Sequence, residues 1–215
     1  MIMQQTKQPN IKILAWVCGI YLVPVIVAVL YTWFREGYPL DLSLTVSLYV
    51  ARYPWTTVLF FVHVVTVCIL LLLYLKTIKI KWIQRILYYL VLLCILGCAI
   101  FPCNRSRSVI ATQIHDFLSY VLVIAVSLTF VGILVFSRQA KQRVFAIGSL
   151  IFAAVFIVAF AIKVPAVKDT IFIWENVVLL LFLLALFFEK YNAEDYCKED
   201  KNPERTDVLY ANRQP

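Results

Sequence analysis

Six long apolar stretches follow one another along this chain, and each is close to the length that a helix needs to cross a lipid bilayer. Such a helix requires about 20 predominantly apolar residues, and the segments that separate the stretches here are short and polar. The sequence therefore predicts an all-α, polytopic membrane helical bundle with six transmembrane helices. The predicted spans are residues 13–34, 55–75, 83–101, 114–136, 144–164 and 170–188.

The composition agrees with a protein that is largely immersed in lipid. Hydrophobic residues make up 63% of the 215 positions and charged residues only 15%. Soluble domains are roughly 45–50% apolar, so a soluble fold is excluded for the greater part of the chain. The predicted transmembrane domain, residues 13–188, lies between a short N-terminus (1–12) and a charged C-terminal tail (189–215).

The positive charge of the chain predicts how the helices are oriented. The net charge is +8, but the basic residues lie in the segments between apolar stretches, which is typical of a topology signal and not of a nucleic-acid site. With the N-terminus inside, the cytoplasmic segments hold 14 of the Lys and Arg residues and the outer segments hold 6. This asymmetry predicts that both termini are cytoplasmic, and no nucleic-acid partner is expected.

A doubly basic break separates the third and fourth predicted spans. It runs from residue 101 to residue 107 and contains Arg105 and Arg107. His115 and Asp116 follow it, at the position where the fourth helix is expected to enter the membrane. Ionisable side chains are costly in hydrocarbon, so this pair requires a partner or a function.

Other polar residues are predicted to lie at a similar depth. A helix rises about 1.5 Å per residue, which places His63 of the second span and Glu175 of the sixth roughly 12 and 8 Å below the outer boundary. The complete predicted layer is His63, His115, Asp116, Lys163, Glu175 and Asn176. Because the inner two-thirds of the spans is almost purely apolar in sequence, the layer predicts a polar pocket in the outer part of the bilayer.

Simpler interpretations of these residues stay open. A single intramembrane His such as His63 is commonly a hydrogen-bonded packing residue, and Glu175 could belong to a structural pair with a Lys or a His. Arg105 and Arg107 suit contacts with lipid headgroups, and they equally suit the capture of an anionic headgroup or substrate.

The sequence does not predict a cofactor. The six Cys residues form neither a CxxC pair nor a zinc spacing, and no HExxH-like pair of His lies on one helix face. A metal ion held by His63, His115, Asp116 and Glu175, or a haem between the two His, remains an alternative. Enzyme status is open as well: His115 could act as a general base with Glu175 or Asp116 orienting it.

Several short motifs are similar to those of a known group of membrane proteins. They are Asp41-Leu42-Ser43 followed by Tyr53-Pro54 and Phe60, Phe101-Pro102 followed by Ile114-His115, and Trp174-Glu175-Asn176. Together they resemble the DRAM/Frag/Sfk-like family and related bacterial six-helix membrane proteins of unknown function. The resemblance implies six spans with cytoplasmic termini and, from the eukaryotic members, links to lipid-anchor remodelling, lipid organisation and autophagy.

The resemblance also implies which positions are shared. It marks His115 and Glu175 as the polar positions in common, whereas Asn104 stands where some bacterial relatives have an acidic residue.

These observations support three hypotheses. The first is a polar pocket in the outer half of the bilayer that binds a lipid or amphiphile. Its predicted ligand-binding residues are His63, Arg105, Arg107, His115, Glu175 and Asn176. The second is a membrane enzyme that acts on a lipid or isoprenoid substrate, with His115, Glu175 and Asp116 as candidate catalytic residues. The third is a structural or partner-binding protein whose polar residues only fix helix packing. Membrane lipid is the expected partner, and a homo-oligomer stays open.

Overall fold

The chain folds into a helical bundle, which we describe from a computed structural model. The structure describes residues 12–37, 40–78, 80–104, 108–137 and 139–199, with side chains up to residue 189. In this part of the chain the helices are α1 (Lys12–Glu36), α2 (Val46–Ala51), α3 (Pro54–Thr77), α4 (Trp82–Ile100), α5 (Val109–Phe136), α6 (Ala140–Ala161), α7 (Pro165–Lys168) and α8 (Ile171–Glu199).

Six of the described helices are long and apolar enough to cross a membrane, which confirms the predicted fold class. They are α1, α3, α4, α5, α6 and the first part of α8, Ile171–Glu189. Large apolar side chains such as Trp16, Leu93 and Ile110 are exposed on the outside of the bundle. Such a surface is suited to lipid, and the protein is an integral, multi-pass membrane protein.

The helix boundaries differ from the predicted spans in one instructive place. The helix that contains the fourth predicted span, residues 114–136, begins before that span, at Val109. The hydroxyl of Ser108 accepts a hydrogen bond from the backbone N–H of Ala111 at 3.1 Å, and this N-cap starts the helix one turn earlier. As a result, His115 and Asp116 lie in the second turn of α5 and not at its first residues.

The main buried core of the bundle contains side chains from α1, α3, α4, α5, α6 and α8. Its largest fully buried side chains include Tyr74, Tyr88, Phe130 and Phe182. The helices α4 and α5 approach closely at Gly97, where a Cβ atom would come within 2.7 Å of Leu118. The absence of a side chain there lets α5 pack tightly against the last turn of α4.

The connection between α1 and α3 is more ordered than a surface loop. Thr45 caps α2 by accepting a hydrogen bond from the N–H of Leu48 at 3.2 Å. Tyr49 and Val50 of α2 are buried against Val25 and Ala28 of α1. The end of the bundle that carries α2 also contains the end of α4 and the beginnings of α5 and α8, and we call it the α2 end.

Candidate functional site

The short helix α2 is held at one end by a side chain of α8 and at the other by a side chain from the segment between α4 and α5. A Glu175 carboxylate oxygen accepts a hydrogen bond from the backbone N–H of Val46 at 2.8 Å. At the other end, the side-chain amide of Asn104 donates to the carbonyl of Ala51 at 2.8 Å. A helix of six residues is not stable alone in water, so these contacts fix the position of α2.

A group of charged and phenolic side chains anchors the C-terminal side of α2. The guanidinium of Arg52 forms an ion pair with the Glu36 carboxylate, which also accepts a hydrogen bond from the hydroxyl of Tyr53. That hydrogen bond, together with burial, raises the pKa of Tyr53 because it favours the protonated phenol. The group joins the end of α1 to the beginning of α3.

The residues before α2 are ordered by a local turn. The Asp41 carboxylate accepts hydrogen bonds from the Ser43 backbone N–H at 2.9 Å and from its hydroxyl at 2.6 Å. Both bonds stabilise the ionised carboxylate and hold the pKa of Asp41 below its usual range. The backbone N–H of Phe172 then donates to the Leu42 carbonyl at 3.1 Å, which joins this turn to α8.

An open cavity of about 470 Å³ lies between α2 and the beginning of α5. It is lined by Leu44, Leu48, Arg52, Cys103, Asn104, Thr112 and Asp116. Leu44 lies just before α2, Leu48 lies within it and Arg52 is its C-cap residue, so these three line the cavity from the α2 side. Thr112 and Asp116 are four residues apart on α5 and therefore lie on one face of that helix. The cavity therefore has an apolar wall that ends in a cation, facing a wall that carries a hydroxyl and a carboxylate.

His115 is buried, and it caps the last turn of α4. Its Nδ1 lies 3.0 Å from the carbonyl oxygen of Cys98 and 2.7 Å from that of Phe101. Since carbonyl oxygens only accept hydrogen bonds, Nδ1 is the donor in both contacts and carries a proton. The group that orients His115 is thus a pair of backbone carbonyls, and neither Glu175 nor Asp116 is its partner.

His115 and Glu175 both lie near the Cys98 thiol, and they do not form a hydrogen bond with each other. The Cys98 sulfur is 3.6 Å from the hydroxyl of Ser119 and 4.0 Å from the carbonyl of His115. The same thiol lies within electrostatic range of the Glu175 carboxylate. The structure therefore brings the two predicted residues into one region, while each of them makes its hydrogen bonds to a different element.

The remaining predicted site residues are spread around this region. The Asn176 amide donates to the carbonyl of Phe172 at 2.7 Å, and its oxygen faces the Tyr21 hydroxyl at 3.5 Å. His63 is half-buried, and its Nδ1 lies 2.7 Å from the carbonyl of Leu59 in its own helix. Lys163 is exposed at the end of α6.

Two of the predicted ligand-binding residues, Arg105 and Arg107, lie outside the described residues. Of the predicted layer, only Asp116 lines the cavity.

A second polar cluster lies at the opposite end of the bundle, where the sequence predicted none. Glu189 was assigned to the charged tail, but its side chain is only 1% exposed. The carboxylate accepts hydrogen bonds from the Gln84 amide at 2.7 Å and from the Tyr88 hydroxyl at 3.4 Å. The Gln142 amide donates to the carbonyl of Phe188 at 2.9 Å, so α4, α6 and α8 are joined there.

The described residues do not contain a group of three or more His, Cys, Asp or Glu side chains that could hold a metal ion. The cavity is instead lined by one carboxylate, one guanidinium and neutral groups, which is a donor set for an organic ligand.

Comparison with known proteins gives the chain no relatives from which a role could be transferred. No protein-family model, curated protein or solved structure matches it. Membership of the DRAM/Frag/Sfk-like family stays a prediction, and the function has to be inferred from the geometry of the α2 end.

Proposed function

We propose that this membrane protein binds the polar head of a lipid or another amphiphile in the cavity between α2 and α5. The observation that supports the proposal is the amphiphilic lining of that cavity, in which Leu44 and Leu48 face Thr112 and Asp116. A ligand with both apolar and polar parts can satisfy both walls at once. A purely polar solute would leave the leucine wall unused, and a hydrocarbon would leave the polar wall unused.

The size and position of the cavity suit such a ligand. Small-molecule pockets typically have volumes of roughly 300–1,000 Å³, and the volume here, about 470 Å³, falls in that range. The cavity is open, and it lies beside the first two turns of α5 and just before the first turn of α3. A lipid headgroup at the membrane boundary would be at the same level as these turns.

In this proposal the predicted polar residues act by shaping the cavity. Glu175 and Asn104 fix the two ends of α2, and α2 supplies one wall. His115 holds the last turn of α4, from which the segment that contains Cys103 and Asn104 continues. Arg105 follows Asn104 directly in sequence and Arg107 comes two residues later, and their role as headgroup contacts stays a prediction.

The proposal predicts that filling the cavity abolishes lipid retention. Leu48→Trp places a bulky ring at a lining position whose side chain is already 37% exposed, so the fold is expected to tolerate it. Native mass spectrometry of the purified protein should then show loss of the lipid that copurifies with the unaltered protein. The matched control is Leu40→Trp in the same connection, at an exposed position that does not line the cavity.

The same experiment distinguishes ligand binding from a purely structural role of the polar residues. One observation favours the structural role. Glu175, Asn176 and His115 all bind backbone groups, as residues that only fix helix packing would do. If this role were the whole function, Leu48→Trp and Leu40→Trp would leave the copurifying lipid equally unchanged. That result would contradict the binding proposal.

A further inference from the structure

Glu175 carries a charge that its surroundings compensate only weakly. It belongs to the apolar part of α8, is half-buried, and accepts one hydrogen bond, from the backbone N–H of Val46. In the part of the chain that the structure describes, no basic side chain forms an ion pair with it. By contrast, Glu36 has an ion pair, and Asp41 and Glu189 each accept at least two hydrogen bonds. A carboxylate in a membrane helix with so few contacts needs a further partner.

The groups that face Glu175 from the neighbouring helices supply no positive charge. The Tyr21 phenol of α1 and the Cys98 thiol of α4 lie within electrostatic range of it, and groups of these types are neutral at neutral pH. His115 of α5 donates its Nδ1 proton to two carbonyls of α4 and forms no hydrogen bond with Glu175. The sequence of α2 contains no charged residue, and on α8 the adjacent side chain, Asn176, is a neutral amide.

We propose that Glu175 is a proton-binding site and that its proton controls how firmly α2 is held. A proton removes the charge of a carboxylate without needing further ligands. A metal cation would need several, and the described residues contain no group of three or more His, Cys, Asp or Glu side chains that could provide them. The consequence for the ligand rests on the proposed function, because α2 forms one wall of the cavity.

The contact between Glu175 and α2 is placed where it can transmit the proton's effect. Val46 is the first residue of α2, so its N–H has no acceptor within the helix and depends on the carboxylate. An ionised carboxylate is a stronger acceptor than a protonated one, so uptake of a proton weakens this contact. Leu44 and Leu48, which line the cavity, lie two residues before and after Val46. Binding of the amphiphile is therefore weaker at low pH, where Glu175 holds its proton.

Infrared difference spectroscopy of the full-length protein in detergent detects the proton directly, since a protonated carboxylic acid and a carboxylate have separate carbonyl stretching bands. As the pH is lowered, the unaltered protein should gain a carboxylic acid component that Glu175→Gln lacks. The matched control is Glu189→Gln, which changes the carboxylate at the other end of the same span and should keep this component. If the acid band of Glu175→Gln were the same as that of the unaltered protein at every pH, Glu175 would not be the proton site.

Val46→Pro tests the coupling from the side of α2. The first position of a helix favours Pro, and Thr45 already has the extended backbone that a residue before Pro requires, so the variant is expected to fold. It removes the N–H that stabilises the ionised carboxylate, and Glu175 should then take up its proton at a proton concentration at least about tenfold lower. Val46→Ala keeps the N–H and should leave the midpoint of the titration unchanged. The same midpoint in Val46→Pro and Val46→Ala would mean that α2 and the proton do not influence each other.

Hydrogen exchange across Val46–Ala51, corrected for the intrinsic effect of pH on exchange, measures the consequence for α2. Protection in the unaltered protein should fall about fivefold as Glu175 is protonated, the difference expected between a charged and a neutral acceptor. The amount of copurified lipid that the protein retains should fall over the same pH range. In Glu175→Gln, protection of α2 should not change with pH. An equal loss of protection in this variant would overturn the coupling.

The outcomes distinguish this inference from the proposed function, because the infrared and exchange measurements require no ligand. If Leu48→Trp abolishes lipid retention while Glu175→Gln alters neither the acid band nor the pH dependence of exchange, the cavity binds amphiphiles and the proton site is wrong. If Glu175 titrates and controls α2 while Leu48→Trp leaves lipid retention unchanged, the proton site stands and the proposed function fails.

Discussion

At the scale of single residues, Lys163 shows how a local backbone requirement can be hidden in a sequence. Its position after an apolar span suggested a cation that reaches toward the polar layer. In the structure it has a positive φ of 59° and occupies the position just after the C-cap of α6. The N–H of Lys163 donates to the Phe160 carbonyl and that of Val164 to the Ala159 carbonyl, which together form a Schellman motif.

We predict that Lys163→Gly stabilises the protein. The left-handed conformation is unfavourable for a residue with a Cβ by about 1–2 kcal/mol, and Gly adopts it freely. The free energy of unfolding in detergent should therefore rise by about 1 kcal/mol. Lys163→Ala is the matched control, since it removes the charge but keeps the Cβ, and it should give no such gain. If the Ala variant were stabilised as much as the Gly variant, the charge and not the backbone would be responsible.

At the scale of elements, α2 depends on contacts that its own sequence does not contain. Polar and apolar residues alternate between α1 and α3, which favours a short structured segment, and Thr45 provides a recognisable cap. The sequence could not show that Glu175, 129 residues away, supplies the acceptor for Val46. Such a pairing depends on the rotation of α8 about its axis, which hydropathy does not determine.

We predict that Glu175→Ala releases α2 from the bundle. The variant leaves the backbone N–H of Val46 without its acceptor, and a buried donor left unpaired destabilises by about 1–3 kcal/mol. Hydrogen exchange followed by mass spectrometry should therefore become at least about tenfold faster across Val46–Ala51. Glu175→Gln keeps an acceptor oxygen and should have a smaller effect. Asn176→Ala changes the next residue, whose partners are Phe172 and Tyr21, and should leave exchange in α2 unchanged.

Exchange in α2 that is no faster in Glu175→Ala than in the unaltered protein would show that the Glu175 contact does not hold the helix. The lipid-binding proposal would then have to rely on Asn104 alone to position the α2 wall.

At the scale of the whole molecule, the number of spans could be predicted because length and hydropathy are local properties of each stretch. The structure brings His115 and Glu175 into one region, since both lie near the Cys98 thiol. The hydrogen-bond partners of the polar side chains could not be predicted, because they depend on how each helix is rotated about its axis. Glu189 is the clearest case: it follows an apolar stretch and opens a run of charged residues, so nothing in its local sequence separates it from a solvated tail.

The helix α8 carries one carboxylate at each end of the membrane span, and the two act on different sets of helices. Glu175 and Glu189 are 14 residues apart, roughly 21 Å along the helix axis. Glu175 accepts a hydrogen bond from α2, and Glu189 accepts hydrogen bonds from Gln84 and Tyr88 of α4. Since these sets of contacts share no residue, we expect their contributions to stability to be independent.

This expectation can be measured with two double-mutant cycles. Glu189→Ala leaves the Gln84 amide without its acceptor, and a buried group left unpaired destabilises by roughly 1–3 kcal/mol. Combining it with Gln84→Ala should therefore be less harmful than the sum of the two single changes, with a coupling energy of at least about 0.5 kcal/mol in unfolding measured in detergent. Combining Glu189→Ala with Glu175→Ala should be additive, because the two sites are too far apart to share a partner. Additivity in the first cycle would mean that the Gln84–Glu189 hydrogen bond contributes nothing to stability, and coupling in the second would mean that the two ends of the bundle are linked through α8.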